Sequence, residues 1–330
     1  MEKTLREKAT SLLIMGSWHT YTRMTFEENV EFVKYLLDHG INQFDCVDYW
    51  DCDVTNTDRF RKVFEELKVP RDAYEVGVKT FPSNEDTRDS VLRRELDRLG
   101  IDYVDSVMCS RPSVGESIEH ACECMSKLVE DGLAKRLDLT MWDPGVAKEA
   151  ITYMKEHNLI LPYCMQFPYN VGRRDVVESD AYVELFKGGL KLQAGFTMEG
   201  GVLGGQTHRR RYDPEDKAAG IWFEKGDRNL TRDHGGIREK IVATVPKLNE
   251  LAESIGVTGA QLAVAYVATN PYLDTLVFGA TKTWQVDQVI EAVELGLSQP
   301  EKVKELADQV YVSGAEVPGY FDYGRFKLYK

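Results

Sequence analysis

Short apolar runs and helix-patterned segments alternate from one end of this chain to the other, which leaves few folds open. The runs read as strands: "SLLIMGSW", "INQFDCV", "AYEVGVKT", "DYVDSVMCS", "AKRLDLTMW", "PYCMQF", "LKLQAGF" and "DTLVFGA". A helical pattern follows each. In "TFEENVEFVKYLLDHG", Thr25 is the expected cap, Glu28 stands three residues later and Gly40 is the stop. "TRDSVLRRELDRLG" gathers Val91, Leu92, Leu96 and Leu99 on one side. "PGVAKEAITYMKEHN" opens on Pro144, which suits a first helical turn, and "DVVESDAYVELFKGG" reads as a further helix. Repeated strand-helix units imply parallel strands joined by right-handed crossovers. A doubly wound sheet is the other solution, but the first strand-to-helix turn has no G-x-G-x-x-G run. The expected fold is therefore a (β/α)8 TIM barrel. No composition break divides the chain, so residues 1–330 are expected to form a single domain. It carries a long polar, Gly-containing loop after the seventh strand, roughly 200 to 237, and an extra C-terminal helix in "EKVKELADQVYVSG".

Bulk properties narrow the function. Hydrophobic residues make up 43% of the chain, enough for a large core. No apolar stretch approaches the length of a membrane span, and "LLIMG" is too short for a signal-peptide core. A cytoplasmic protein is expected. Six cysteines with no C-x-x-C pair suit reduced thiols better than disulfides or a zinc site. A net charge of -13 argues against a nucleic-acid partner.

In a barrel of this kind the chemistry lies at the C-terminal strand ends. That places Asp45, Lys79, Cys109, Ser110, Thr140, Met141, Gln166 and the segment "GATK" under inspection. Desolvation lowers a lysine pKa and a neighbouring carboxylate raises it, so Asp45 is the natural partner of Lys79. The plainer alternative is a lysine snorkelling to solvent with Asp45 as a surface cap. Cys46, Cys109 and Cys164 also fall near strand ends, as small core residues or as reactive thiols. The acids Asp48, Asp51 and Asp53 crowd the same rim, and the basic run "HRRRY" lies in the long loop.

Seven segments in order carry a family resemblance: "GINQFDCVDYW", "VGVKTF", "LDRLGIDYVDSVMCSRP", "LVEDGLAKRLDLTMW", "MQFPYN", "GGVLGG" and "TGAQLAVAYVATNPYLDTLVFGATKTWQVDQV". Together the chain resembles the aldo/keto reductases, nearest the branch of potassium-channel β subunits. The resemblance implies NADP(H) across the barrel mouth, hydride transfer to a carbonyl and a small-molecule substrate. The family works with Asp, Tyr, Lys and His. Asp45 and Lys79 match the first and third, Trp50 stands at the Tyr position, and Ser110 stands at the His position. The channel-subunit branch accepts a small polar residue in place of the His. Trp50 is the larger departure, because an indole N–H is no useful proton source near neutral pH. Tyr49, one residue early, is a candidate replacement donor.

On the cofactor side the resemblance matches Thr140 to a family Ser and Gln166 to the Gln that holds the nicotinamide amide. It matches Phe196 to the ring on the nicotinamide face, and Gly279, Lys282 and Gln285 to the adenosine-phosphate segment. Met141 replaces the family Asn, Val289 replaces the adenine-binding Asn, and Glu199 brings an acid toward the diphosphate. Three readings follow: an NADP(H)-dependent oxidoreductase with an altered proton donor, a non-redox lyase or isomerase using Lys79 and Asp45, and a nucleotide-binding regulatory protein without turnover. A homo-oligomer is left open.

Overall fold

The computed structural model describes residues 3–17, 20–47, 56–80, 86–112, 115–205 and 237–314. Its eight strands are β1 (Leu13–Gly16), β2 (Gln43–Asp45), β3 (Glu75–Thr80), β4 (Ser106–Ser110), β5 (Leu137–Thr140), β6 (Cys164–Pro168), β7 (Lys191–Gly195) and β8 (Leu273–Phe278). Each pairs in parallel with its neighbours in sequence, and β1 pairs with β8, so the sheet closes into a barrel. The expected (β/α)8 architecture is the one observed.

Helices cover the outside. They are α1 (Leu5–Ser11), α2 (Phe26–Asp38), α3 (Asn56–Leu67), α4 (Arg88–Leu99), α5 (Ile118–Glu130), α6 (Pro144–Glu156) and α7 (Asp180–Lys187). After β7 come α8 (Ile237–Glu253) and α9 (Gly259–Ala268), then α10 (Thr283–Ser298) and the additional α11 (Pro300–Asp308) follow β8. The cap read at Thr25 is a complete capping box: Glu28 N–H donates to Thr25 Oγ1 at 3.2 Å and Thr25 N–H donates to Glu28 Oε2 at 2.9 Å. Pro144 opens α6 behind an Asp143 cap.

Two boundaries differ from expectation. Helix α1 was not expected, although Thr4 and Glu7 form the same capping box there. The helix expected from residue 175 begins at Asp180, because Arg174 and Asp175 are occupied elsewhere. Arg174 donates to Asp308 Oδ1 at 2.6 Å and to Ala307 O at 2.8 Å. Asp175 accepts from the Tyr311 hydroxyl and from Gly314 N. These contacts fasten the end of the described chain to the segment after β6. The long loop expected after β7 starts as a short 3-10 turn over Glu199–Gly204, and its remainder, residues 206–236, lies outside the described residues.

Strand alternation decides what faces the barrel interior. Phe44 points outward, with its ring 5.5 Å from that of Phe60 and 5.1 Å from that of Phe64, both on α3. Its neighbours Gln43 and Asp45 therefore point inward. Register carries this face around the barrel: Asp45 pairs with Gly77, Lys79 with Met108, Met108 with Asp138, Ser110 with Thr140, and Thr140 with Gln166. The interior is unusually polar. Buried Asp138 accepts from Ser106 Oγ, from Arg136 Nε at 3.0 Å and from Cys164 N at 3.1 Å.

Candidate active site

Asp45 and Lys79 end adjacent strands and meet inside the mouth, with Lys79 Nζ 3.1 Å from Asp45 Oδ2. The Lys79 side chain is 7% exposed and that of Asp45 8%, so neither snorkels to solvent. The backbone under Asp45 is fixed on both sides. Ser17 N–H donates to Asp45 O at 3.0 Å, and Cys46 N–H donates to Gly77 O at 2.8 Å. Ser17 Oγ then accepts from Val47 N at 2.9 Å. Asp45 Oδ1 is buried and accepts no hydrogen bond among the described residues. Lys79 has three ammonium donors and gives one of them to Asp45. A buried carboxylate oxygen left without a donor is costly unless a ligand, water or further side chain completes it.

Ser110 lies one strand further on, half-buried. Its carbonyl and that of Arg111 accept from Arg88 Nη2 at 3.3 and 3.4 Å, while Arg88 Nη1 holds Glu116 at 2.5 Å. Buried Arg88, at the start of α4, thus shapes the loop after β4. Tyr49 and Trp50, the two aromatics on which proton donation turns, lie outside the described residues, as do Asp48, Asp51, Asp53 and the "HRRRY" run. Tyr21 is no substitute. Its ring packs edge-on to Phe60 at 6.3 Å in the helical layer, and burial, with Cys46 and Asp45 adding, pushes its hydroxyl well above the usual tyrosine range.

The residues matched to a cofactor fall around the rim. Thr140 and Gln166 are buried neighbours across β5 and β6. Gln166 Nε2 donates to Gln193 Oε1 at 2.5 Å, so its amide nitrogen is tied into the barrel interior. Phe196 follows β7, half-buried. Gly279 is exposed beyond β8, and a side chain there would meet nothing nearer than Thr20 Oγ1 at 3.9 Å. Gln285 Oε1 accepts from Thr281 N at 2.9 Å and Lys282 N at 3.1 Å, which folds this loop back onto the start of α10. The Lys282 ammonium is exposed and lies 3.4 Å from Glu28.

Three non-glycine residues at this rim hold left-handed backbone: Met141 at φ 56°, Phe196 at φ 54° and Glu199 at φ 51°. Such conformations cost energy and cluster where function over-determines them. Met141 is clamped by fully buried Trp142, whose indole N–H donates to Cys109 O at 2.9 Å. Phe196 is clamped through Asn170, whose Nδ2 donates to Phe196 O and to Glu199 Oε2, both at 3.0 Å. Glu199 itself does not face the rim. Arg173 grips both of its oxygens at 2.6 Å and places its guanidinium 5.9 Å from the Phe196 ring centroid. Arg173, Asn170 and Arg88 were not singled out from sequence. A buried acid needs a partner, so seeking one for Glu199 leads to the arginines of "YNVGRRD".

The strand-end thiols Cys46, Cys109 and Cys164 are buried. Burial pushes Cys109 up to about 11 and Cys164 well above the ordinary thiol range.

The model of the aldo/keto reductase family matches residues 12–309. The chain belongs to the aldo/keto reductase family. A Schizosaccharomyces pombe protein named as a voltage-gated potassium channel subunit beta is 27% identical over 321 residues, covering 93% of this chain and 92% of its own. Arabidopsis thaliana and Oryza sativa proteins of the same name are 26% and 27% identical, covering 86% and 90% of this chain and 88% and 92% of their own. In this aldo/keto reductase, no helix among the described residues is long and apolar enough to cross a membrane.

Proposed function

We propose that the chain is an NADP(H)-dependent oxidoreductase that interconverts small carbonyl compounds and alcohols, with an altered proton donor. The observation that carries this is the buried Lys79–Asp45 pair at the barrel mouth, with one Asp45 oxygen that accepts no hydrogen bond among the described residues. A bound NADP(H) would supply the hydride. The rim residues fit that group. Glu199 is neutralised by Arg173 and turned away from the mouth, which removes the objection to a diphosphate there. Phe196 offers a ring held in place from behind, Thr140 and Gln166 offer polar groups, Gly279 and Gln285 shape the loop after β8, and Lys282 offers an exposed cation for a 2′-phosphate.

In this reading Lys79 is the proton-holding group at the mouth. Its ammonium donates toward the substrate oxygen while Asp45 keeps it oriented and balances its charge. Ser110 gives that oxygen a second hydrogen bond. Trp50 orients by its N–H without giving up a proton, and Tyr49 is the competing donor. Met141 contributes no amide, so binding of the nicotinamide end rests on Thr140, Gln166 and Phe196.

The test is NADPH oxidation with a panel of aldehydes and ketones. Turnover is expected for the wild type, with a loss of about 10²- to 10⁴-fold in Lys79→Met, the range of a positioned proton-transfer group. A panel on which the wild type never exceeds the Lys79→Met background contradicts the reading.

A further inference from the structure

Arg88 is a cation at the end of a helix that disfavours one. It is the first residue of α4, directly after the Thr87 cap, and is 3% exposed. The helix dipole favours anions at that end, and a buried ion pair is seldom better for stability than apolar side chains of similar size. Its contacts give it another use. Arg88 Nη1 donates to Glu116 Oε1 at 2.5 Å and Nη2 to Glu116 Oε2 at 3.3 Å, so a carboxylate just ahead of α5 sets the plane of the guanidinium. In that plane Nη2 also meets Ser110 O at 3.3 Å and Arg111 O at 3.4 Å. These carbonyls lie where β4 ends, and Pro112, next in the chain, has no N–H with which to fix itself. Ser106 Oγ meets Asp138 inside the barrel, and alternation puts Met108 and Ser110 on that same face. The Ser110 hydroxyl therefore opens on the mouth from a peptide that Arg88 holds from behind.

We propose that Arg88, aligned by Glu116, is a positioning residue: it pins the carbonyls of Ser110 and Arg111 and so fixes the Ser110 hydroxyl at the mouth. Arg88 makes and breaks no bond, and it acts only through Ser110. The part of Ser110 in carbonyl reduction rests on the proposed function, whereas the pinning rests on the contacts of Arg88 alone. An unpinned end of β4 leaves the hydroxyl free to turn away, and a misplacement of about 1 Å can cost a reaction about 10²-fold. Lysine is no replacement, because one ammonium lacks the planar fork that serves a carboxylate and two carbonyls together.

Arg88→Met combined with Glu116→Leu removes the fork without stranding a charge, and Ser110→Ala removes the hydroxyl alone. Two readouts apply. Crystal structures of the wild type and the fork variant show where residues 110–112 lie, and the expected result is a segment displaced by about 1 Å or more, with α4 and α5 in place. Carbonyl reduction by the wild type, the fork variant, Ser110→Ala and the triple variant closes a mutant cycle. The fork variant and Ser110→Ala are each expected to lower kcat by about 10- to 100-fold, the worth of one hydrogen bond to a charged oxygen, and the triple variant to be no slower than Ser110→Ala. A merely structural loss would multiply with that of Ser110→Ala instead. If the fork variant fails to fold, Arg88→Lys, which keeps the charge beside Glu116, takes its place in both readouts and must give the same result. Residues 110–112 in their wild-type place, or losses that multiply, overturn the proposal. The crystal readout needs no turnover, so a wild type inactive on every carbonyl would refute the proposed function and leave the structures to decide the pinning.

Discussion

Arg173 holds both carboxylate oxygens of Glu199 at 2.6 Å, from Nε and Nη2, with side chains 4% and 0% exposed. This fork joins the segment after β6 to the segment after β7 and sits behind the Phe196 ring. Removing one partner strands the other charge in the interior. Arg173→Leu is expected to destabilise the protein by about 3–5 kcal/mol, and Arg173→Leu combined with Glu199→Leu to recover most of that loss. Urea denaturation of the two single variants and the double variant checks this. A single variant as stable as the double would mean the pair is not buried as described.

Met141 offers a gain instead of a loss. Its left-handed backbone suits asparagine far better than methionine. Met141→Asn is expected to stabilise the protein by roughly 1 kcal/mol, and to tighten cofactor binding because an amide returns to the rim. Thermal unfolding measures the first effect and a nucleotide titration the second. A stabilised variant with unchanged affinity would show that Met141 lies outside the cofactor's reach.

The fold was legible in the sequence because local signals agreed with one another. Thr25 with Glu28, Gly40 and Pro144 each ended or began an element where expected. Asp45 and Lys79 were legible as partners because strand alternation and sequential pairing put both in one mouth. The Arg173–Glu199 fork was not, because its members lie in irregular segments where no periodicity says which way a side chain turns. The start of α7 was missed for a related reason: Arg174 and Asp175 are committed to the C-terminal segment, a long-range tie with no local signature.

The proton donor separates by substitution. Tyr49→Phe is expected to leave carbonyl reduction near the wild-type rate, and Lys79→Met to lower it by about 10²- to 10⁴-fold. Steady-state rates with one good substrate decide the matter. The reverse pattern would make Tyr49 the donor and Lys79 its electrostatic support.

Burial pushes the thiols of Cys109 and Cys122 up to about 11 from an unfolded value near 9. The folded state therefore holds these protons longer than the unfolded state. Their contribution to stability is complete below pH 9 and is lost as pH rises toward 11. The expected slope is up to about 1.4 kcal/mol per pH unit for each thiol. Urea midpoints at pH 8 and pH 10.5, for wild type and Cys109→Ala, measure it. Equal losses in both proteins would show that Cys109 contributes nothing to the alkaline limb.

The central claim is that this barrel still takes a nicotinamide dinucleotide, and titration of NADPH and NADH against the fluorescence of its five tryptophans tests it most directly. The account predicts micromolar NADPH binding, weaker NADH binding, and a loss of that preference in Lys282→Ala. Absence of binding of either nucleotide at millimolar concentration would contradict hydride transfer, and leave Lys79 and Asp45 to chemistry without a redox cofactor.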